Sequence, residues 1–176
     1  MLRGEKAGLR ARHDDDGPVL HAELYDDVVT RSGASSKPWV PIPVGSADSP
    51  YAGPGTGETR VPFSVVELAS GELAGEALLW GIDPHNRLAH LGISLRPAFR
   101  GRGLATDAVR VLCTYGFAVR GMWRLQIEAL ADNVPMIAAA KRAGFTVEGT
   151  LRRSAWVHGR FVDEVVLGLL AEEWAA

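Results

Sequence analysis

The stretch Leu91 to Arg120, LGISLRPAFRGRGLATDAVRVLCTYGFAVR, decides the fold. It opens with Leu91, Ile93 and Leu95 in alternation, the pattern of a strand with one buried face. An Arg- and Gly-rich turn follows. Leu104, Ala108, Val111, Leu112 and Tyr115 then recur at the spacing of one buried helix face. A strand, a glycine turn and a helix in that order make a phosphate cradle. The first amides of a helix lack carbonyl partners and stand at the positive end of its dipole, so residues 103–106 can present donors to an anion. Gly101 and Gly103 allow positive φ and close approach, and Arg96, Arg100 and Arg102 add charge in bidentate geometry. The ligand expected here carries several phosphate oxygens.

Taken alone, Gly-x-Gly before a helix also fits an ordinary tight turn. Two common phosphate signatures are absent. The chain has no Gly-x4-Gly-Lys-Ser/Thr run, and a dinucleotide fingerprint needs a third glycine near Thr106 and a βαβ unit early in the chain.

Arg100-Gly101-Arg102-Gly103-Leu104-Ala105 resembles the Gln/Arg-x-x-Gly-x-Gly/Ala signature of the GNAT superfamily of N-acetyltransferases. Asn133 through Phe145, NVPMIAAAKRAGF, is similar to that family's second signature, an Asn opening a helix that ends in Lys-x-x-Gly-Phe. Glu148 to Arg152, Gly159-Arg160 and Asp163 resemble the C-terminal hairpin of the RimJ/RimL type, which includes ribosomal-protein N-terminal acetyltransferases. Three separated signatures in the expected order carry the resemblance from about Phe63 to Leu170. It implies acetyl-coenzyme A (acetyl-CoA) as cosubstrate and no metal. The diphosphate would lie on Arg100, Gly101, Arg102, Gly103, Ala105 and Thr106, the pantetheine arm along Ile93 to Leu95, and Asn133 and Lys141 would lie near the cofactor. The implied partner is an amine, either a protein N-terminus or a small molecule, and a homodimer is the family expectation.

Length and composition set the outer limits. The 176 residues suit one domain, 1–176, large enough for a real core. A formal charge of -2 and a pI near 6.2 give no general affinity for nucleic acid or an anionic membrane. Cys113 is the one cysteine, and no Cys or His pair has metal-ligand spacing, so a reducing cytoplasm is expected. The first sixteen residues contain no apolar run, and those elsewhere are too short to span a bilayer.

Along the chain, Gly8 to Arg12 predicts a first strand, and Asp14 to Asp16 followed by Pro18 predicts a helix through about Val28. Three adjacent Asp could hold a cation or simply complement a helix dipole. Residues 31–60 hold five prolines among many Gly and Ser, which predicts a long loop or a lid, with Trp39 and Tyr51 as anchors. A disordered insertion is equally compatible. The resemblance implies that this region shapes the acceptor pocket.

Strands are predicted over Val61 to Leu68, Leu73 to Ile82, Leu88 to Leu95 and Trp123 to Leu130. Asn133 should cap a helix that Gly144 ends. Phe145 to Arg153 and Arg160 to Leu170 should form a closing hairpin. The expected class is α+β, with a mixed, strongly twisted sheet of about seven strands and helices on both faces.

Acetyl transfer from a thioester to an amine needs a neutral nitrogen, a stabilised oxyanion and protonation of the thiolate. Amines have pKa values of about 8 at a chain terminus and about 10.4 on lysine, so a base or water relay must remove a proton near neutral pH. His90 is the candidate, at the start of the strand where the resemblance implies a glutamate; a structural role is its alternative. Glu76, Asp163 and Glu164 are further acidic candidates. The resemblance also implies a thiolate-protonating tyrosine and a serine, where this chain has Ala140 and Met136. Those departures leave open a noncatalytic acyl-CoA-binding module, and a plain nucleotide-binding fold is a third possibility.

Overall fold

The computed structural model describes residues 1–52 and 56–174; Pro54 of the proline-rich segment and the last two positions of the chain lie outside the described residues. Among the described residues eight strands form one sheet: β1 (Leu2–Arg3), β2 (Ala7–Arg10), β3 (Arg60–Glu67), β4 (Leu73–Asp83), β5 (Leu88–Leu95), β6 (Arg124–Leu130), β7 (Thr146–Val157) and β8 (Arg160–Leu170). Their order is β1-β2-β3-β4-β5-β6-β8-β7, and every neighbouring pair is antiparallel except β5 and β6. The count is eight, one more than expected, because the two-residue β1 turns back onto β2. So short a strand has no period to read.

The helices are α1 (Asp16–Leu20), continued by one wider turn over His21–Tyr25, α2 (Val28–Ala34), α3 (Leu104–Thr114), continued over Tyr115–Val119, and α4 (Val134–Arg142). The helix expected from Asp14 to about Val28 thus runs from Asp16 only to Tyr25, and a second one starts at Val28. Asp27 accepts hydrogen bonds from the backbone N–H groups of Val29 and Thr30, which starts α2 afresh. Four residues expected in the loop, 31–34, therefore belong to α2.

Strand alternation assigns the two faces. Val61, Phe63 and Val65 of β3 join Leu79, Leu91 and Leu95 in the main core, against Leu104, Ala108 and Leu112 of α3 and Ala140 of α4. Ser64, between them, points the other way and donates to Asp16 of α1 at 2.7 Å. Helices therefore cover both faces of the sheet. Asp107 of α3 accepts from the N–H groups of Glu5, Lys6 and Ala7, which ties the β1–β2 turn to the back layer.

On the front face, the chain between α2 and β3 packs against the first helix pair. Tyr51 is buried with Leu20, Leu24 and Tyr25, and Trp39 and Ile42 lie against them. The His21 ring bonds Ser49 Oγ at 2.7 Å and the Ile42 carbonyl at 2.9 Å, and Trp39 Nε1 donates to the Tyr25 carbonyl. Among its described residues this segment is a strap across the sheet, held by polar bonds rather than by a regular element.

The closing hairpin turns at His158 and Gly159, both at positive φ (46° and 80°), as a two-residue turn between twisted strands requires. β7 runs four residues past the expected Arg153, over a bulge where the Arg153 N–H donates to Asp163. Asp163 is thereby committed to the hairpin.

Candidate active site

β5 and β6 pair over only three residues, Leu88 to His90 against Arg124 to Gln126, and then diverge. The Arg96 N–H donates to the Ala74 carbonyl of β4. Successive peptide groups along a strand point to opposite edges, so the N–H and C=O groups of Ile93 and Leu95 point toward β6, into the split. One of them is occupied, since Arg100 Nε donates to the Leu95 carbonyl at 3.0 Å. The Ile93 amide is left facing the gap.

That gap continues to the N-terminus of α3. Gly101 (φ 75°) and Gly103 (φ 83°) are left-handed, a conformation that favours glycine, and Gly103 stands at the N-cap, where no side chain caps the helix. The first-turn amides of α3 are therefore available to an anion. A Cβ at Gly101 would meet nothing within 4 Å, so the approach to this backbone is open. A diphosphate fits this cradle.

The free edge of β5 and the α3 turn open into one cavity of about 530 Å³. Ile93, Ser94, Leu95, Arg100, Gly101, Ala105 and Asn133 line it, with Pro135 and Met136 of α4, and Leu24, Arg31, Gly33 and Tyr51 close it from the front. Asn133 caps α4 by accepting from the Met136 N–H at 3.2 Å, and its Nδ2 donates to the Gly33 carbonyl of α2 at 3.2 Å. One side chain thus joins the two walls.

Other expected residues stand elsewhere. Arg102 pairs with Glu67 at 3.2 Å and stacks over Phe99, and Arg96 is held by the Leu73 carbonyl and Glu23. Neither guanidinium is free in the way the sequence suggests. Gly103 and Thr106 belong to the turn and first helical turn without lining the cavity, and Lys141 is exposed in the last turn of α4. Lys6, unremarked in the sequence, brings its ammonium within 3.4 Å of the Arg102 carbonyl, beside Gly103.

His90 does not line the cavity. It lies four residues down β5 from Ser94, about 13 Å at strand rise, stacked on Trp80 with ring centroids 4.4 Å apart. Its Nδ1 is 3.6 Å from Glu128. Burial pushes its pKa below the ordinary imidazole value; Glu128 opposes that and Arg124 adds to it.

Glu76 of β4, by contrast, stands directly across from Ser94. Arg12 Nη2 donates to it at 2.6 Å, and the Arg12 guanidinium lies 5.5 Å from the Tyr51 ring centre. Burial raises the Glu76 carboxyl's pKa, against the lowering fields of Arg12, Arg60 and Arg31. Ala140 of α4 is fully buried in the main core, so the helix offers no acid there. Among the described residues no group of three or more His, Cys, Asp or Glu could hold a metal ion. Asp16 of the acidic run is engaged with Arg10 and Ser64.

A split parallel pair, a free strand edge and an open helix N-terminus meet in one cavity. The chain belongs to the acetyltransferase (GNAT) domain family, which it matches over residues 7–146. It is 36% identical over 107 residues to a Bacillus subtilis (strain 168) protein named "Putative ribosomal N-acetyltransferase YdaF", covering 61% of this chain and 58% of that protein. Spermidine N(1)-acetyltransferase of Escherichia coli (strain K12) is 30% identical over 112 residues, 64% of this chain and 60% of the relative. The match therefore spans about three-fifths of these relatives' length. The structure of spermidine N-acetyltransferase from Vibrio cholerae in complex with CoA and spermine superimposes with a TM-score of 0.85 at 20% identity, covering 96% of this chain and 97% of that one. That likeness is one of fold.

Proposed function

We propose that this protein transfers the acetyl group of acetyl-CoA to a primary amine by direct attack on the thioester. The observation that carries the reading is the single cavity joining the free edge of β5 to the open N-terminus of α3. The α3 turn, with Lys6 and Arg100 beside it, would hold the diphosphate, and the β5 edge would take the pantetheine amides. The Ile93 N–H would polarise the thioester carbonyl as negative charge develops on its oxygen. As the C–N bond forms and the C–S bond breaks, the amine proton must leave and the thiolate must be released. A thiol with a pKa of about 8.5 is a tolerable leaving group, and water can protonate it where Ala140 cannot. Positioning would supply much of the acceleration.

His90 can take the amine proton only through water, given its place at the apex of the split. The RimJ/RimL-like subtype and a cytoplasmic setting, which suits the buried free thiol of Cys113, belong to the same proposal. So does the homodimer implied by the resemblance, for which the exposed Trp156 and Phe161 on the closing hairpin offer apolar surface. Among the described residues, no helix is long and apolar enough to cross a membrane.

The test is calorimetry with acetyl-CoA, followed by thiol release across a panel of primary amines. Binding together with acceptor-dependent thiol is the expected result. Binding without thiol release from any amine makes the protein a noncatalytic acyl-CoA module, and preference for ATP or NAD removes the proposal.

A further inference from the structure

Arg31 lines the front end of the cavity, and Arg12 and Arg60 stand beside its Tyr51 wall, with the Glu76 carboxylate bonded to Arg12. Arg12 is buried, its side chain 1% exposed, and it spends a single nitrogen on Glu76; its Nε and Nη1 have no hydrogen-bond partner among the described residues. Arg31 lines the cavity over the Tyr25 ring, and its buried Nε is likewise unpartnered among those residues. Arg60 donates to the Pro50 carbonyl, and its field, with those of Arg12 and Arg31, reaches both Glu76 and Tyr51. Among the described residues, two further carboxylates of the front layer are engaged elsewhere. Asp16 is matched by Arg10 and Glu23 by Arg96. Buried guanidinium nitrogens without acceptors are costly, and a planar fork is the group that best receives a carboxylate.

We propose that the acceptor is an amine that also carries a carboxylate, received by Arg31, with Arg12 and Arg60 behind it, at the Tyr51–Ser94 end of the cavity. The inference rests on the acetyl-transfer reading, whose cofactor occupies the other end, at Gly101 and Asn133. It separates this site from one built for a polyamine. A diamine would bring a second ammonium against three guanidinium groups and find one carboxylate, already bonded to Arg12.

The experiment compares amines matched in length: 4-aminobutyrate, 4-aminobutyramide and 1,4-diaminobutane, together with alanine and alaninamide and a pair of C-terminally amidated peptides that differ only in beginning with Glu or with Gln. Acceptor-dependent thiol release is read as kcat/KM. In at least one matched pair the acid should exceed its amide by about tenfold, the effect of one well-placed charged contact. In Arg31→Gln that acid-to-amide ratio should fall to about two. A favoured free acid marks an amino acid as acceptor, and a favoured Glu peptide marks a chain terminus; either supports the proposal. Equal rates for acid and amide in every pair, or a preferred diamine, overturn it and leave acetyl transfer standing. If no amine releases thiol, acetyl transfer itself fails. The charge inference is then decided by thermal shift of the CoA-loaded protein. Stabilisation by N-acetylalanine and not by its amide upholds a carboxylate site, and equal or absent shifts remove it.

Discussion

His90 ends the paired part of β5; beyond it the strand loses β6 and the site begins. Its neighbours decide what it can do. Stacked on Trp80 and partly withdrawn from water, the ring is pushed toward its neutral form, which is the form that accepts a proton. If His90 relays the amine proton, kcat/KM should fall as pH drops below about 6.5 and through the lowered pKa of the folded protein. His90→Gln should then lose about tenfold to a hundredfold in kcat and lose that acidic limb, with the KM for acetyl-CoA unchanged. A Gln variant with the parent's rate and pH profile would place His90 among the structural residues. Stability follows the same sign. The folded state holds fewer protons than the unfolded one below about 6.5, so the stabilisation is complete above that pH and is lost toward the lowered value.

The turn from β5 into α3 was readable because its chemistry is local: alternating apolar residues, glycines where φ is positive, then an apolar stripe. The same holds for α4, whose Asn133 cap and Gly144 (φ 104°) announce both ends, and for the β3–β4–β5 meander. A short strand and a helix break were harder to read. β1 is two residues long, and α2 restarts after its Asp27 cap although Leu20, Leu24 and Val28 keep a helical spacing through the break. Only parts of the front pocket were legible: residues 31–60 were expected to shape it, with Tyr51 as an anchor, and Glu76 was an acidic candidate, but their meeting with Arg12 was not, because these residues come from four segments that only the folded sheet and strap bring together. At this scale the turn itself can be tested. Gly103→Val would force a β-branched residue into a left-handed conformation and place its Cβ about 3.2 Å from the Lys6 ammonium. The strain should cost about 1–3 kcal/mol in urea unfolding. The KM for acetyl-CoA should rise about tenfold or more while that for the amine changes far less. Equal effects on both substrates would move the cofactor away from this turn.

Over the molecule as a whole, two carboxylates clamp the β2 end of the sheet from opposite sides. Asp107 gathers three amides of the first turn onto α3 at the back, and Asp16 holds α1 to β2 and β3 at the front through Arg10 and Ser64. The front clamp holds the layer of α1, α2 and the strap that walls the front end of the cavity. Burial alone would raise the pKa of Asp16, but the bonds from Arg10, Ser64 and the His13 N–H outweigh it and lower the value to about 2. A carboxyl depressed in the folded state stabilises it fully above the unfolded pKa, near 3.8, and that share is lost as pH falls through about 2. Asp16→Asn removes the charge at every pH and leaves Arg10 without its partner. Unfolding free energies from urea titrations should therefore differ between parent and variant by about 1–3 kcal/mol at pH 7, the range for hydrogen bonds to a charged group. The gap should hold down to about pH 4 and close between pH 4 and 2 as the parent's carboxylate takes up its proton. A gap that stays constant from pH 7 to pH 2 would mean that Asp16 acts through shape alone, and the front wall would then owe its attachment to the apolar cluster of Leu20, Leu24 and Tyr51.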